Sequence, residues 1–428
     1  MVYMDFFYKE TAQVNTNEIQ AETNRVFPYL EHLEKVAKEN DYEYDESSIN
    51  LPFDENNLNE IIKLQKQITN PQLKYIIDIG IGGSNLGAKA VYDALYGFFD
   101  LIEPLRYPKV IFADTNDPAF IYKLERFLRT HIYDPQELLI NAVSKSGSTT
   151  ETIVNLEILI SKLPYAKDRL VVTTGFGSEL WHTSKEMGIE CLDIPKKVGG
   201  RFSVLSNVGL FPLGCVGLNI VELLNGAKAA RKYGLERDVF KNPSLLSAII
   251  AYVNYKKGKT INTTFLFHPE LESLGKWYQQ LMGESIGKDG QGITPTVAIG
   301  STDLHSMGQL YLGGIKDKLF TFVTTLGHDE EVRVPKDPEI EVLSTVQDKS
   351  AKEVMHAILE GVKIAYKNKG LPFAEVRLKD ISERSMGEFM QYKMLEMMYL
   401  GKLLGVNTFD QPNVDEYKKE TKRILAHS

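Results

Sequence analysis

Ten residues from Val143 to Thr152, VSKSGSTTET, hold the densest chemistry in the chain. Hydroxyls at Ser144, Ser146, Ser148, Thr149, Thr150 and Thr152 surround Lys145 and Gly147. An apolar run, Leu138 to Val143, precedes them, and a helical sequence starting at Ile153 follows. A strand, a hydroxyl-rich loop and a helix start together make an anion site. Free backbone N–H groups and the positive end of the helix dipole face the anion, and hydroxyls complete its hydrogen bonds. Lys145 adds a point charge. Serine and threonine also cap many helices, which explains one or two hydroxyls but not this density. The segment points to a phosphate-bearing small molecule.

Asp78 to Gly87, DIGIGGSNLG, is a second glycine-rich turn between a strand and a helix. It departs from a dinucleotide fingerprint, because Asn85 stands where the third glycine belongs. No Gly-Lys-Ser/Thr follows, so it is not a Walker loop either. What remains is a turn that lets the backbone approach a ligand, with Ser84 supplying a hydroxyl. A plain tight turn is the alternative.

Arg201 follows Gly199 and Gly200 and precedes Ser203 and Ser206. Its guanidinium suits developing negative charge, although most arginines make surface pairs. Gln280 and Glu284 lie one helical turn apart on the same face. Glu284 sits among small and apolar residues, where partial desolvation favours the neutral acid and a stronger base. Glycines on either side suggest that something must approach it. His305 is expected in a loop at the carboxyl end of a strand, where α/β ligand sites lie. No second histidine or carboxylate accompanies it at metal spacing, so no metal is expected. Lys418, in a polar helix from Val414 to Ala426, reads as a surface lysine on local grounds.

The elements that must position these groups alternate. Tyr75–Ile79, Val110–Ala113, Leu138–Val143 and Leu170–Thr174 read as strands, with helices over Ala88–Phe99 and Pro118–Leu128. A second series has strands at Thr260–Phe267, Thr296–Ile299, Leu319–Thr324 and Ala374–Leu378. Its helices cover Leu271–Met282, Lys352–Lys367 and Met386–Leu404, and Val221–Lys257 reads as a helical bridge. Short β-branched runs between amphipathic segments predict parallel sheets wrapped by helices, an α/β fold. The first 70 residues read as helical and polar.

The chain has 428 residues, room for two or three domains, and its 43% hydrophobic and 25% charged residues are ordinary for a soluble protein. A net charge of −8 argues against nucleic acid as a partner, so phosphate binding must be local. Cys191 and Cys215 form neither a disulfide framework nor a thiolate metal site, and both read as core residues. No apolar run reaches the roughly 20 residues of a membrane span, and the N-terminus lacks a signal layout. No membrane partner is expected, and the cytoplasm is the expected location.

Six blocks in order, IGIGGSNLG, VSKSGSTTET, VGGRFSVLSNVG, MGESIGKDGQG, GSTDLHSMGQL and FDQPNVDEYKKE, resemble the glucose-6-phosphate isomerase family in its shorter bacterial form. The resemblance runs from about residue 70 to the C-terminus. It implies two SIS-type parallel-sheet domains, each a three-layer α/β/α sandwich, with extra helices at both ends. The first would cover residues 1–230 and the second 231–428. It implies a cofactor-free isomerase, usually a cytoplasmic homodimer, that interconverts glucose 6-phosphate and fructose 6-phosphate in glycolysis and gluconeogenesis.

The resemblance also implies roles. Ser84, Ser144, Lys145, Ser146 and Thr149 would hold the phosphate, with Gly83 and Glu151 lining the pocket. Glu284 would move a proton between C1 and C2, with Gln280 nearby, and Arg201 would stabilise the cis-enediolate. His305, reaching in from a partner subunit, and Lys418 would assist ring opening. The chain departs from the family pattern at Asn413, where glycine is usual, and at Asp415, where glutamate is common. Asn413 is expected to keep a positive φ.

Three rivals follow from the same residues. A related SIS isomerase could act on mannose 6-phosphate or an amino sugar phosphate. A sugar-phosphate sensor would lack a base and carry a DNA-binding domain, whereas this chain has Glu284 and no basic helix-turn-helix segment. A nucleotide-dependent oxidoreductase is disfavoured by the broken fingerprint at Asn85.

Overall fold

Runs of buried β-branched and leucine residues become central strands, because parallel strands covered on both faces have no polar side. The computed structural model describes residues 4–325, 332–340 and 344–427. The chain opens with β1 (Met4–Phe7), α1 (Thr16–Glu39) and α2 (Glu55–Ile68). A first series follows: β2 (Tyr75–Ile79), α3 (Leu86–Leu95), β3 (Lys109–Ala113), α4 (Pro118–His131), β4 (Leu138–Ser144), α5 (Thr150–Lys162), β5 (Leu170–Thr174), α6 (Glu179–Glu186) and β6 (Glu190–Asp193). Three helices bridge to the second: α7 (Asn207–Cys215), α8 (Ile220–Gly234) and α9 (Pro243–Lys256). That series is β7 (Ile261–Leu266), α10 (Glu272–Ile286), β8 (Thr294–Ile299), α11 (Gly308–Gly313), β9 (Lys318–Thr325), α12 (Ala351–Lys369), β10 (Phe373–Leu378) and α13 (Glu383–Leu404). The polar helix α14 (Asp415–Leu425) closes the chain.

The first sheet has the order β3-β2-β4-β5-β6, all parallel. Ile77, Ile79, Ile140 and Ala142 face α4 and α5, while Ile76, Leu139 and Val171 join the central core with α3 and α7. The second sheet has the order β1-β10-β9-β7-β8. Phe265, Phe320, Phe322 and Phe373 pack under α11 and α12, and Leu266, Val323 and Val376 face the central core with α10 and α13. Each sheet therefore has a core on both faces, the α/β architecture expected from sequence.

Two strands escape the sequence pattern. β1 pairs antiparallel with β10, so the first residues belong to the second sheet, and residue 230, the expected division, lies inside α8. β6, with the sequence ECLD, is an edge strand with one buried residue and no alternation to read. Asn413 lies in a short 3-10 turn, Pro412–Val414, and is not among the described residues with positive φ. The expected replacement of a left-handed glycine is thus corrected: the chain turns there by 3-10 geometry. Cys215 is buried, as expected, while Cys191 is only half-buried because β6 is an edge; burial raises both thiols. Among the described residues, no helix is long and apolar enough to cross a membrane.

Candidate active site

The two glycine- and hydroxyl-rich turns leave the carboxyl ends of neighbouring strands, β2 and β4, where open α/β sheets bind ligands. The β2 turn is drawn tight. Gly82 has φ +58°, which disfavours any side chain, and a Cβ on Gly83 would come 2.2 Å from the Gly200 carbonyl carbon. The Gly199–Arg201 segment thus rests directly on the Gly83 backbone. Ser203 fastens it, donating from Oγ to Gly200 O at 2.7 Å and to Gly83 O at 3.2 Å. Ser84 is half-buried at the end of the turn.

After β4, the Ser144 and Thr149 hydroxyls pair at 2.8 Å. Thr149 is the N-cap of α5, yet its side chain makes no capping hydrogen bond. The hydroxyl cluster is therefore not an ordinary cap, and the α5 N-terminus keeps its capacity for an anion. Ser146 accepts from Ser148 N at 3.2 Å, and half-buried Glu151 lies in the first turn of the helix. Lys145 reaches across to Val198 O at 2.7 Å, joining this loop to the Arg201 segment. Burial, and then the positive charge of Arg201, pull the Lys145 pKa down.

Arg201 is almost wholly buried and uses every arm of its guanidinium. Nε donates to Ser285 Oγ at 2.9 Å; Nη1 donates to Gln411 Oε1 at 2.9 Å and to Glu284 Oε2 at 3.3 Å. Nη2 donates to Thr408 O at 2.5 Å and Asp410 O at 3.2 Å. Burial lowers its pKa, and Glu284 opposes that. Gln280 Nε2 donates to Glu284 Oε1 at 3.1 Å, so both carboxylate oxygens are held while the side chain stays one-third exposed. Gln280 and Glu284, with Leu86, Lys89, Asp114 and Ser273, line a cleft of about 580 Å³.

α10, which carries the pair, is fixed from behind. The Tyr278 hydroxyl donates to Glu396 Oε2 of α13 at 2.9 Å, and Lys393 binds the same oxygen at 2.9 Å in the core.

The structure brings part of the sequence-read set together. Gly83, Arg201, Gln280 and Glu284 converge, and Lys145 ties Ser144, Ser146 and Thr149 to them. His305 is different: it is exposed after β8, and among the described residues no hydrogen bond or ion pair joins it to this centre. Lys418 is exposed on α14 and likewise makes no such contact. Ser285 and Gln411 were not singled out from sequence, although both lie in motifs noted there. Their role becomes visible only when Arg201 is seen between them.

A profile of the phosphoglucose isomerase family matches residues 58–309, more than half of the chain. The chain belongs to the phosphoglucose isomerase family. A glucose-6-phosphate isomerase from Methanocaldococcus jannaschii is 34% identical over 355 residues, 82% of this chain and 84% of its own length. One from Lactobacillus delbrueckii subsp. bulgaricus is 34% identical over 388 residues, 88% of this chain and 86% of its own. Among solved structures, a hypothetical protein from Thermus thermophilus superposes with a TM-score of 0.85 at 29% identity, covering 99% of this chain and all of that one. A glucose-6-phosphate isomerase from Chlamydia trachomatis gives 0.83 at 21% identity, covering 99% and 88%, and so shares the fold. The family profile ends at residue 309, so it spans the Gly83, Arg201 and Glu284 segments and His305 but not Gln411 or Lys418.

Proposed function

We propose that this protein is an aldose–ketose isomerase that interconverts glucose 6-phosphate and fructose 6-phosphate, in glycolysis and gluconeogenesis. The observation that carries the reading is Glu284, held by Arg201 at 3.3 Å and by Gln280 at 3.1 Å, with Lys145 of the hydroxyl-rich loop tied at 2.7 Å to Val198, three residues before Arg201. Moving a proton between adjacent carbons needs a positioned base and a cation for the enediolate oxygens. Glu284 is the base in this reading, and Arg201 supplies the charge. Arg201 is already committed to five acceptors, so it stabilises the intermediate without moving.

The phosphate sits on Ser84, Ser144, Lys145, Ser146 and Thr149 at the start of α5, with Gly83 and Glu151 lining the pocket and Gln280 near the reacting carbons. Binding energy from this remote dianion fixes the sugar over Glu284. Ring opening is assigned to Lys418 and to the partner subunit's His305 in a homodimer. The exposure of both residues in the single chain suits groups that await assembly or closure. A cytoplasmic location fits the substrate.

The test is proton exchange. Purified protein with fructose 6-phosphate in heavy water should give glucose 6-phosphate with deuterium at C2. Binding without conversion would mark a sensor and overturn the proposal.

A further inference from the structure

A second concave site lies away from the Glu284 cleft and shares no residue with it. It is a groove of about 700 Å³ between α8, the 3-10 turn Ser47–Phe53 and the start of α13. Arg231 is its fixed point. The guanidinium carbon stands 3.4 Å from the centroid of the Phe53 ring, and Nη1 donates to Asn50 Oδ1 at 2.9 Å and to Ile49 O at 3.3 Å. Among the described residues, Nε and Nη2 have no protein acceptor and no carboxylate comes within ion-pair distance of Arg231. Burial alone holds its pKa down, at about 10, with no acidic neighbour opposing it. An arginine pinned along one edge with the other edge unused is preorganised for an anion.

The charges around it point the same way. Lys228, one turn earlier on α8, pairs with Glu55 at 2.8 Å, and Arg384 of α13 pairs with Glu222 at 3.2 Å. Lys232 is exposed. Arg231 and Lys232 enter no ion pair among the described residues, on a chain whose net charge is −8. Phe53, Leu235 and two alanines supply apolar wall. A bare inorganic ion would leave that wall in water.

We propose that the groove binds a small phosphate monoester with an apolar organic part, its phosphate on the free edge of Arg231 between Lys228 and Lys232. The dianion matches the charges of Arg231 and Lys232, and the apolar part covers Leu235 and the wall beside Phe53.

Phenyl phosphate tests this by titration calorimetry on the whole protein, with and without saturating fructose 6-phosphate. One class of site should persist with the sugar phosphate present. Arg231→Gln should weaken that class at least tenfold and leave turnover within twofold, and inorganic phosphate should bind it at least tenfold more weakly. Ser146→Ala should leave it unchanged, which separates it from the phosphate cradle. Should Arg231→Gln fail to fold, the double variant Lys228→Gln, Lys232→Gln must still weaken binding several-fold. Loss of all phenyl phosphate binding when fructose 6-phosphate is present would overturn the site. Unchanged affinity in the folded arginine variant, or in the lysine pair, would also do so. Equal affinity for inorganic phosphate would remove the apolar half of the proposal.

Discussion

Asp78 and Asn141 stand opposite each other on neighbouring strands, β2 and β4, and the Asn141 amide donates to Asp78 Oδ1 at 2.7 Å in the wholly buried interior of the first sheet. Thr173 of β5 extends the line by donating to Asn141 Oδ1 at 3.2 Å. The other Asp78 oxygen has no partner. This polar row lies just below the two turns that leave the same strands.

The first prediction concerns pH. Burial pushes the Asp78 carboxyl up to about 7, with the Asn141 hydrogen bond opposing. Its unfolded value is near 3.9, so between about pH 4 and 7 the folded protein keeps a proton that the unfolded chain releases. Stability should therefore fall as pH rises through that window and level off above it, by at most roughly 4 kcal/mol at 1.4 kcal/mol per pH unit. Urea unfolding at pH 5 and pH 8 measures the slope, and Asp78→Asn should flatten it. Parallel slopes in the two proteins would place the titrating group elsewhere.

Glu284→Gln should lower kcat by roughly 10²- to 10⁴-fold, the range of general-base catalysis. Sugar-phosphate binding should survive, because the phosphate contacts lie on other residues. Steady-state kinetics with a binding titration measures both, and near-normal turnover would strip Glu284 of its role.

Gly83→Ala should be costly and Gly361→Ala benign. The first places a methyl 2.2 Å from backbone, whereas a Cβ on Gly361, inside α12, meets nothing within 4 Å. Overpacking at a rigid contact costs about 1–3 kcal/mol or more, while alanine in a helix gains up to about 1 kcal/mol over glycine. Thermal melts of the two variants should move in opposite directions, and the Gly83 change should also raise KM. A Gly83 variant as stable and active as the parent would mean that the Gly200 segment yields freely.

Subunit mixing tests the placement of His305. Chains carrying Glu284→Gln and chains carrying His305→Ala should each be inactive. Mixed after subunit exchange, random pairing should restore about a quarter of the parental sites, since one site of each heterodimer combines both intact residues. No recovery, with exchange verified by mass spectrometry, would put both residues in one subunit's site.

The strands at residues 75–79, 138–144 and 170–174 were legible because buried parallel strands carry continuous apolar runs. The helix expected over Ala88–Phe99 ends at Leu95, since Gly97 turns the chain into a 3-10 segment close against Tyr92 and Asp93. The hydroxyl-rich loop after β4 stood out by composition alone. Gln411 was not, because its claim rests on Arg201, far away in sequence, and nothing local distinguishes it from a polar loop residue. Glu284 needed its glycine neighbours and its one-turn spacing from Gln280 to stand out. His305 was picked out by its place at the carboxyl end of a strand and Lys418 by resemblance alone, and among the described residues neither makes a hydrogen bond or ion pair to the centre.

The antiparallel pairing of Met4 with Leu378 constrains how the chain can be made. On a ribosome adding roughly 5–20 residues per second, β1 emerges on the order of tens of seconds before β10 exists. The first sheet can assemble during that interval, because its strands and helices are consecutive in sequence. The second sheet must wait with its β10 edge unfinished and a short hydrophobic N-terminal strand unpaired. Nascent chains arrested before residue 373 should therefore protect the first sheet from protease and leave the N-terminal segment open to cleavage and chaperone capture.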